Sequence, residues 1–280
     1  MCKRVFVYLF LGLIILMSPF FVSAQSTSPA AMEVMADTLV ARQDYQGGLD
    51  LYNKILKQSK KQDEAYYTVL YKRAFAYFGL GKLDESLTDV SQVITRYPSP
   101  QASLLRLSIY EQQQNFEAQL KDLNELISEN PDPYMIRWRT SVLFQLEHYK
   151  EAQRDIQFLL TGSEDSELRL YLGVTYYYLN RPDSAILQFD KVIANDPNFI
   201  QTYVTAGSML MEDGQYDAAM KYISLGLRQE PANATLLFYK GAALIEMKEI
   251  DKACSCLRKA FEAGMDDAAD YLKEYCFGGE

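Results

Sequence analysis

The sequence is poor in the residue types on which most catalytic and metal sites depend. Its 280 residues include one histidine, one tryptophan and four cysteines. A histidine-ligated metal site or a histidine-based catalytic triad would therefore have to rest on His148 alone. The sequence also contains no glycine-rich phosphate loop, His-Glu-x-x-His pair or nucleophile elbow. We therefore expect no enzymatic activity, no cofactor and no metal.

Basic residues are scarce as well. Lysine and arginine number 28 against 37 aspartates and glutamates, which gives a net charge of -9. Proteins that bind nucleic acids need a positively charged surface to meet the phosphates, so we expect no nucleic-acid partner. Hydrophobic residues make up 49% of the chain, enough to bury a core, and this excludes a disordered tail.

One apolar run approaches membrane length, and it lies at the start of the chain. Lys3 and Arg4 precede an uninterrupted apolar stretch over 5–17, and small residues lead up to Ala24. A basic start, a short apolar run and small residues at the end are typical of a secretory signal peptide. As a helix the run would rise only about 20 Å, less than the thickness of a bilayer core. The sequence therefore predicts a signal peptide that is cleaved after Ala24.

A retained membrane anchor is the alternative, because the apolar stretch continues over 20–22 if Pro19 is tolerated in a helix. Cleavage would remove two basic and no acidic residues, so the mature chain would be still more acidic. We expect an exported protein without stable membrane insertion after cleavage. A bacterial periplasm is the predicted compartment, with a eukaryotic secretory lumen as the alternative.

The remainder of the chain repeats with a fixed period, which small residues and prolines mark most clearly. The marks recur at intervals of 34 residues: Gly173, Gly207 and Gly241; Ala185, Ala219 and Ala253; Pro197 and Pro231. Each interval is predicted to form a helix, a tight turn, a second helix and a proline-marked break. Weaker versions of the same marks occur upstream, for example Ala74, Gly81 and Pro98.

With this period and these marks, the chain resembles the tetratricopeptide repeat family. The resemblance implies an all-α fold, a right-handed α-solenoid of about seven helix pairs plus a C-terminal capping helix, which we place at 266–277. The predicted division of the chain is a signal peptide 1–24, a short leader 25–28, a repeat array 29–267 with units 29–61, 67–99, 100–132, 133–165, 166–199, 200–233 and 234–267, and the remainder of the capping helix with the tail 268–280.

The resemblance also implies a binding surface, because the first helices of these repeats line a concave groove. Family contacts come mainly from the second, fifth, ninth and twelfth positions of each first helix. The predicted partner-binding residues at those positions are Tyr71, Phe75, Phe78, Arg137, Phe144, Tyr177, Met211 and Phe238. Some of these side chains will instead pack between repeats, since aromatic residues at helical spacing are more often core than ligand site.

These positions favour a protein or peptide partner held through apolar anchors. Family members that bind chaperone tails carry lysine at the fifth and asparagine at the ninth position. No repeat here has that pair; in the unit 67–99, for example, the fifth position is Tyr71 and the ninth is Phe75. We therefore predict a non-enzymatic scaffold or adaptor, active in envelope assembly or secretion. The alternative is a glycan-binding accessory protein whose aromatic groove stacks on sugar rings. The identity of the partner and the oligomeric state stay open.

The cysteines downstream of the signal peptide predict one disulfide. Cys254 and Cys276 each lie about eleven residues from the turn that joins the last repeat to the capping helix, so an antiparallel hairpin brings them level. Cys256 lies about 200° around its helix from Cys254 and is expected to stay free. The alternative is a metal or redox site that uses all three cysteines, although spacing by one residue is uncommon for zinc.

Overall fold

A computed structural model describes residues 28–162 and 164–277, and all regular structure in these two ranges is helical. The predicted signal peptide lies outside the described residues. The helices are α1 (Pro29–Ala41), α2 (Tyr45–Gln58), α3 (Glu64–Gly79), α4 (Leu83–Arg96), α5 (Pro100–Gln112), α6 (Phe116–Glu129), α7 (Pro133–Gln145), α8 (Tyr149–Leu160), α9 (Ser166–Tyr178), α10 (Pro182–Asn195), α11 (Ile200–Glu212), α12 (Tyr216–Gln229), α13 (Ala234–Glu246), α14 (Ile250–Glu262) and α15 (Ala268–Tyr271), and a π-helical turn follows at Leu272–Cys276. Among the described residues, none of the helices has the length and apolar character needed to cross a membrane.

Consecutive helices pack against each other in pairs, which confirms the predicted all-α class of α-solenoid repeats. A turn of three residues joins the two helices of each pair, and one residue of every such turn has a positive φ. In the pairs α3/α4 and α11/α12 this residue is a glycine, Gly81 or Gly214. In the other five pairs it carries a side chain: Gln43, Gln114, Glu147, Asn180 and Lys248. These five residues adopt a conformation that L side chains rarely take.

Polar residues define where several of the helices begin. The side chains of Asp63, Asn115, Asp165 and Asn233 each accept a hydrogen bond from a backbone N–H three residues further on. An uncapped helix start leaves such N–H groups without partners, so short polar side chains are favoured there. Proline fits the first residue of a helix, because the N–H that it lacks would have no partner in the first turn. Pro133 begins α7 in this way.

The chain divides into two compact units, the first extending to Arg106 and the second beginning at Leu107. The first unit contains α1 to α4. Its buried core includes Tyr52, whose hydroxyl donates a hydrogen bond of 2.7 Å to Asp37 on α1. Lys72 on α3 donates to the same aspartate and to Glu33, at 2.7 and 2.6 Å. Ionic and hydrogen-bonded contacts thus tie α1, α2 and α3 together.

The second unit contains the last residues of α5 and the helices from α6 onward, and an apolar cluster of eleven buried residues lies where α9 to α13 meet. The buried members of this cluster are Leu170, Ala185, Phe189, Tyr203, Ala206, Met209, Leu210, Ala219, Tyr222, Ile223 and Leu236. Small residues let the two helices of each pair approach closely. A Cβ placed on Gly173 would lie 2.4 Å from the ring of Phe189, so only glycine fits there.

The C-terminal cap differs from the prediction of one continuous α-helix over 266–277. Asp266 and Asp267 form a turn, the α-helix is only the four residues of α15, and the remainder is the π-helical turn. The backbone N–H of Phe277 accordingly donates to the carbonyl of Leu272, five residues back. Leu272 is buried in the same cluster as Leu257 of α14, so packing against α14 overrides the regular α-helical pattern.

Cys254 and Cys276 are joined in a disulfide, with their Cα atoms 5.7 Å apart. This bond links α14 to the π-helical turn. The prediction of the bond from the sequence had assumed that these two segments pack as an antiparallel hairpin. Cys256 is a free thiol that packs, partly buried, against the same apolar cluster. The cap is therefore held by one covalent bond and by a shared core.

Candidate functional site

The candidate site is an open groove in the second unit, formed by the first helices of three successive pairs. A cavity of about 730 Å³ lies between the last turns of α5, the length of α7 and the first three turns of α9. Its lining residues are Ser108, Glu111, Tyr134, Arg137, Trp138, Thr140, Ser141, Phe144, Gln145, Glu167, Leu168, Tyr171 and Val174. Because α7 contributes seven of these side chains, it forms the floor of the groove.

Helical periodicity explains why α7 presents so many side chains to one side. Tyr134, Trp138, Ser141 and Phe144 follow one another at intervals of three or four residues, and Arg137 is adjacent to Trp138, so all five lie along one face of the helix. The first and third helices of the groove add further residues at the same spacing. The result is a continuous surface that runs along α7, with walls from its two neighbours.

Aromatic rings occupy both ends of this surface. Tyr134 and Trp138 meet edge to face, with ring centroids 6.2 Å apart, at the start of α7. Phe144, near the end of α7, lies 5.8 Å from Tyr171 of α9 in a tilted arrangement. Tyr134 is 65% exposed and Tyr171 is 41% exposed, so both rings keep a face open to solvent. Such rings offer large, rigid contact area at little entropic cost.

A network of charges joins α7 to the start of α9. The guanidinium of Arg137 donates to the carboxylate of Asp165 over 2.9 Å and lies 3.9 Å from that of Glu167. Asp165 also caps α9 by accepting from the N–H of Leu168. Burial by itself would raise the pKa of Asp165, but these two hydrogen bonds hold the pKa below its usual range. Asp165 is therefore ionised at neutral pH and fixes Arg137 in place.

Tyr171 stays protonated in the groove. Burial and the nearby carboxylate of Glu167 raise its pKa above the ordinary value, and Arg137 only partly opposes that shift. Its hydroxyl therefore remains a hydrogen-bond donor, and the Glu167 carboxylate is the acceptor beside it. With Glu111 and Ser141 also in the lining, the groove combines an apolar floor with a few polar groups, as peptide-binding surfaces commonly do.

The predicted partner-binding residues fall into three groups in the structure. Arg137 and Phe144 line the groove. In the first unit, Phe75 is exposed on α3, while its neighbours Tyr71 and Phe78 are half-buried, and burial raises the pKa of Tyr71.

The remaining three predicted residues, Tyr177, Met211 and Phe238, lie in packing contacts outside the groove. The hydroxyl of Tyr177 donates to Asp213 at 2.8 Å and lies 3.2 Å from the carbonyl of Met209 in the next pair. Met211 packs against the large apolar cluster, and Phe238 meets Tyr271 of the cap edge to face at 5.1 Å. Their role in binding a partner stays a prediction.

Sequence reasoning missed the groove residues Trp138 and Tyr171. Both occupy the sixth position of their first helix, one residue after the fifth position that was considered. In α9 the fifth position, Leu170, is buried in the core, and Tyr171 takes its place on the groove side. The signal that could have found them is the aromatic residue itself, at a position three or four residues from the other groove positions.

No group of three or more histidine, cysteine or acidic side chains within 28–162 and 164–277 is arranged to hold a metal ion. His148, the single histidine, is exposed at the start of α8. In the groove, Arg137 is paired with Asp165 and lies near Glu167.

Comparisons with known proteins agree with the repeat pattern. Two tetratricopeptide repeat family profiles match the chain, one at residues 71–132 and 141–198 and the other at 200–233, which together cover more than half of it. A search of curated proteins found no match.

Among solved structures, a tetratricopeptide repeat protein from Parabacteroides merdae is 19% identical, with a TM-score of 0.58 over 88% of this chain and 97% of that chain. The C-terminal part of a repeat-containing protein from Cytophaga hutchinsonii is 17% identical, with a TM-score of 0.63 over 85% of this chain and 98% of that chain. These likenesses support the fold, and together with the profile matches they lead to one conclusion: the chain belongs to the tetratricopeptide repeat family.

Proposed function

We propose that this protein is a non-enzymatic scaffold that binds a segment of a protein partner in the groove formed by α5, α7 and α9. Tetratricopeptide repeat proteins are generally non-catalytic protein-interaction scaffolds, and the chain's membership of this family supports the proposal. The single observation that carries the proposal is the open cavity of about 730 Å³ with exposed aromatic rings at both ends.

The geometry of the rings favours a peptide as the occupant. The two aromatic pairs are separated along α7 by the distance from Trp138 to Phe144, six residues, or about 9 Å at the rise of an α-helix. An extended peptide advances about 3.3 Å per residue, so side chains two to four residues apart would reach both pairs. Apolar side chains of the partner would anchor against the rings, while the polar groups between them fix orientation.

An exported location is the second part of the proposal. It is supported by the signal-peptide pattern at 1–24 and by the Cys254–Cys276 disulfide, since disulfides persist mainly in oxidising compartments. A periplasmic adaptor for envelope assembly or secretion machinery combines this location with the scaffold class. Expression of the full chain in a bacterial host tests the location. A periplasmic product that begins at Gln25 by intact-mass measurement supports it, and a product that stays in the cytoplasm contradicts it. An exported product that keeps residues 1–24 would instead support the retained anchor.

Site-specific photo-crosslinking tests the binding role. A photoreactive amino acid is placed at Ser141, which is exposed within the groove, and in a matched protein at Phe158, which is 51% exposed on α8 outside it. We expect a partner that crosslinks from position 141 and not from position 158. Crosslinking from position 158 alone, or equally from both positions, contradicts a groove-specific interaction.

The sole tryptophan of the chain provides an independent readout, because Trp138 lies in the groove. The purified partner should change its emission in a saturable manner. A Phe144→Ala/Tyr171→Ala variant with unchanged far-UV circular dichroism should weaken binding at least tenfold, as loss of anchor residues commonly does. The Phe158→Ala variant is the control and should bind like the wild type.

Glycan binding is the second candidate, and the exposed ring of Tyr134 beside the half-buried Trp138 favours it. Sugar rings stack on such aromatic faces. A glycan array with the wild type and the Phe144→Ala/Tyr171→Ala variant separates the two functions. Binding of a soluble glycan that the variant loses would replace the peptide-scaffold proposal.

A further inference from the structure

Resting on the proposed function, we propose that the groove selects a partner segment with a lysine or arginine side chain flanked by apolar residues. The cationic group would lie between the two aromatic pairs, against their ring faces and close to the carboxylates of the lining. This assigns a ligand chemistry to the site that the repeat fold by itself does not specify.

The aromatic residues supply the first argument. Four rings line one cavity: Tyr134, Trp138, Phe144 and Tyr171. The face of an aromatic ring is electron-rich, and a cation within about 6 Å of its centre is attracted, most strongly by tryptophan and tyrosine. Both aromatic pairs are tilted or edge to face, which leaves ring faces uncovered by their partners. A cationic side chain that enters the groove can therefore meet more than one ring face.

The balance of charge supplies the second argument. The groove and its edge hold three carboxylates, Glu111, Glu167 and Asp165, against the single guanidinium of Arg137. Arg137 is directed at two of those carboxylates, at 2.9 and 3.9 Å, so its charge is compensated within the protein. What remains for a ligand is a site of net negative charge. The whole chain, at -9, adds to the attraction for a basic segment.

An anionic occupant is disfavoured for the same reasons. A carboxylate or phosphate in the groove would face Glu111 and the electron-rich ring faces, and it would have to compete with Asp165 for Arg137. Arg137 is thus assigned a positioning role: it joins α7 to the start of α9 and moderates the negative charge of the groove.

Titration with matched peptides tests the inference on the full mature chain. Short acetylated and amidated peptides without tryptophan share a leucine-containing frame and differ at one central residue, which is lysine, arginine, norleucine or glutamate. Emission of Trp138 reports binding. We expect the lysine and arginine peptides to bind about tenfold more tightly than the norleucine peptide, and the glutamate peptide to bind most weakly. The preference should shrink at high salt, because exposed charges are screened.

Two variants of the groove should change this preference in opposite directions. Glu111→Gln/Glu167→Gln should lower the affinity for the lysine peptide severalfold and change the affinity for the norleucine peptide less, so the preference for lysine shrinks. Arg137→Gln should tighten the lysine peptide severalfold, because it removes the one positive charge of the lining, and a merely damaged groove would not gain affinity. Glu117→Gln, on the exposed side of α6, is the matched control and should behave like the wild type.

The outcomes separate this inference from the proposed function. If the norleucine peptide binds as tightly as the lysine peptide, the groove binds peptides but the cationic preference is wrong. Tighter binding of the glutamate peptide, lost in Arg137→Gln, also overturns the inference and assigns the groove to acidic segments. If none of the four peptides changes the emission, the inference fails, and crosslinking from Ser141 then decides whether the scaffold proposal survives.

Discussion

In two regions of this molecule, different kinds of contact hold the two helices of a pair together. In α3/α4 and α7/α8 an arginine of the first helix donates two hydrogen bonds to an aspartate of the second helix. Arg73 meets Asp89 at 2.7 and 2.8 Å, and Arg139 meets Asp155 at 2.7 and 2.6 Å. Both aspartates are buried, and each arginine also donates to an asparagine of the preceding pair, Asn53 or Asn124, at 2.9 Å.

The later pairs α9/α10, α11/α12 and α13/α14 use apolar contact instead. A glycine in each first helix lies directly against a large side chain of the second: Gly173 against Phe189, Gly207 against Ile223, and Gly241 against Leu257. Positions equivalent to the arginines hold Leu172 and Ala206 in the first two of these pairs.

The difference shows that the same helix-pair geometry is stabilised either by an ion pair between the two helices or by apolar packing against a glycine. An ion pair is directional and satisfies its own hydrogen bonds, but removal of one partner leaves an uncompensated buried charge. A glycine contact depends on shape alone, so it tolerates no added volume and is insensitive to pH and salt. The two regions should therefore respond differently to substitution, which the following experiments measure.

The largest effect is expected for Asp155→Ala. This change leaves Arg139 partly buried without its carboxylate, and we expect a loss of about 3 kcal/mol in the free energy of unfolding around α7 and α8. Urea unfolding followed by the emission of Trp138, the neighbour of Arg139, measures it. The double variant Arg139→Met/Asp155→Leu should recover most of the loss. A single variant within 0.5 kcal/mol of the wild type would show that the ion pair contributes little.

A smaller loss, of about 2 kcal/mol, is expected for Gly173→Ala in the apolar region. The added Cβ would lie 2.4 Å from the ring of Phe189, so the helices of this pair must separate or the ring must move. Urea unfolding followed by circular dichroism gives the change in stability, which should not vary between low and high salt.

Gly162→Ala is the matched control for this glycine, because a Cβ there has its nearest neighbour at 3.9 Å. It should be neutral or slightly stabilising, since alanine restricts the unfolded chain. Equal losses for the two variants would contradict a packing origin for the effect at Gly173.

The smallest effect, about 1 kcal/mol, is expected for Tyr222→Phe. The buried Tyr222 donates to Asp190 of the preceding pair at 2.8 Å, a neutral counterpart of the arginine-to-asparagine contacts. Burial and that carboxylate raise the pKa of Tyr222 above its ordinary value of about 10.

The pH dependence of this contact has a definite sign. Because the pKa of Tyr222 is raised on folding, its stabilising contribution is complete below about pH 10 and declines as the pH rises further. Burial and Asp213 likewise raise the pKa of Tyr177, to about 12. The wild type should therefore lose stability above pH 10, and Tyr222→Phe should lose less over the same interval. Parallel stability curves for the two proteins would contradict this assignment.

Sequence reasoning predicted the repeat period, the helix pairing and the Cys254–Cys276 bond, because each depends on spacing along the chain. It placed Arg137 and Phe144 among the binding residues for the same reason. It did not identify Trp138 and Tyr171, since the rotation of a first helix about its axis is set by what packs behind it. In α9 the burial of Leu170 decides that Tyr171 faces the groove.

The conformation of the tight turns and of the cap also depended on tertiary structure. Five turns hold a positive φ at a residue other than glycine, for example Glu147 at 58° and Lys248 at 63°, because the packing of the two helices requires it. The π-helical turn at Leu272–Cys276 exists because Leu272 and Cys276 both reach α14.

The sequence by itself determined the class of protein, since a 34-residue hydrophobic period buries a continuous core only when helix pairs stack on their neighbours. It also determined the scarcity of groups for catalysis and the net negative charge. Only the tertiary structure decided which aromatic residues share a groove with Glu111 and Glu167. It also decided which helix pairs are held by an arginine–aspartate ion pair and which by packing against a glycine. Those choices depend on contacts between side chains 16 to 28 residues apart, which local spacing does not encode.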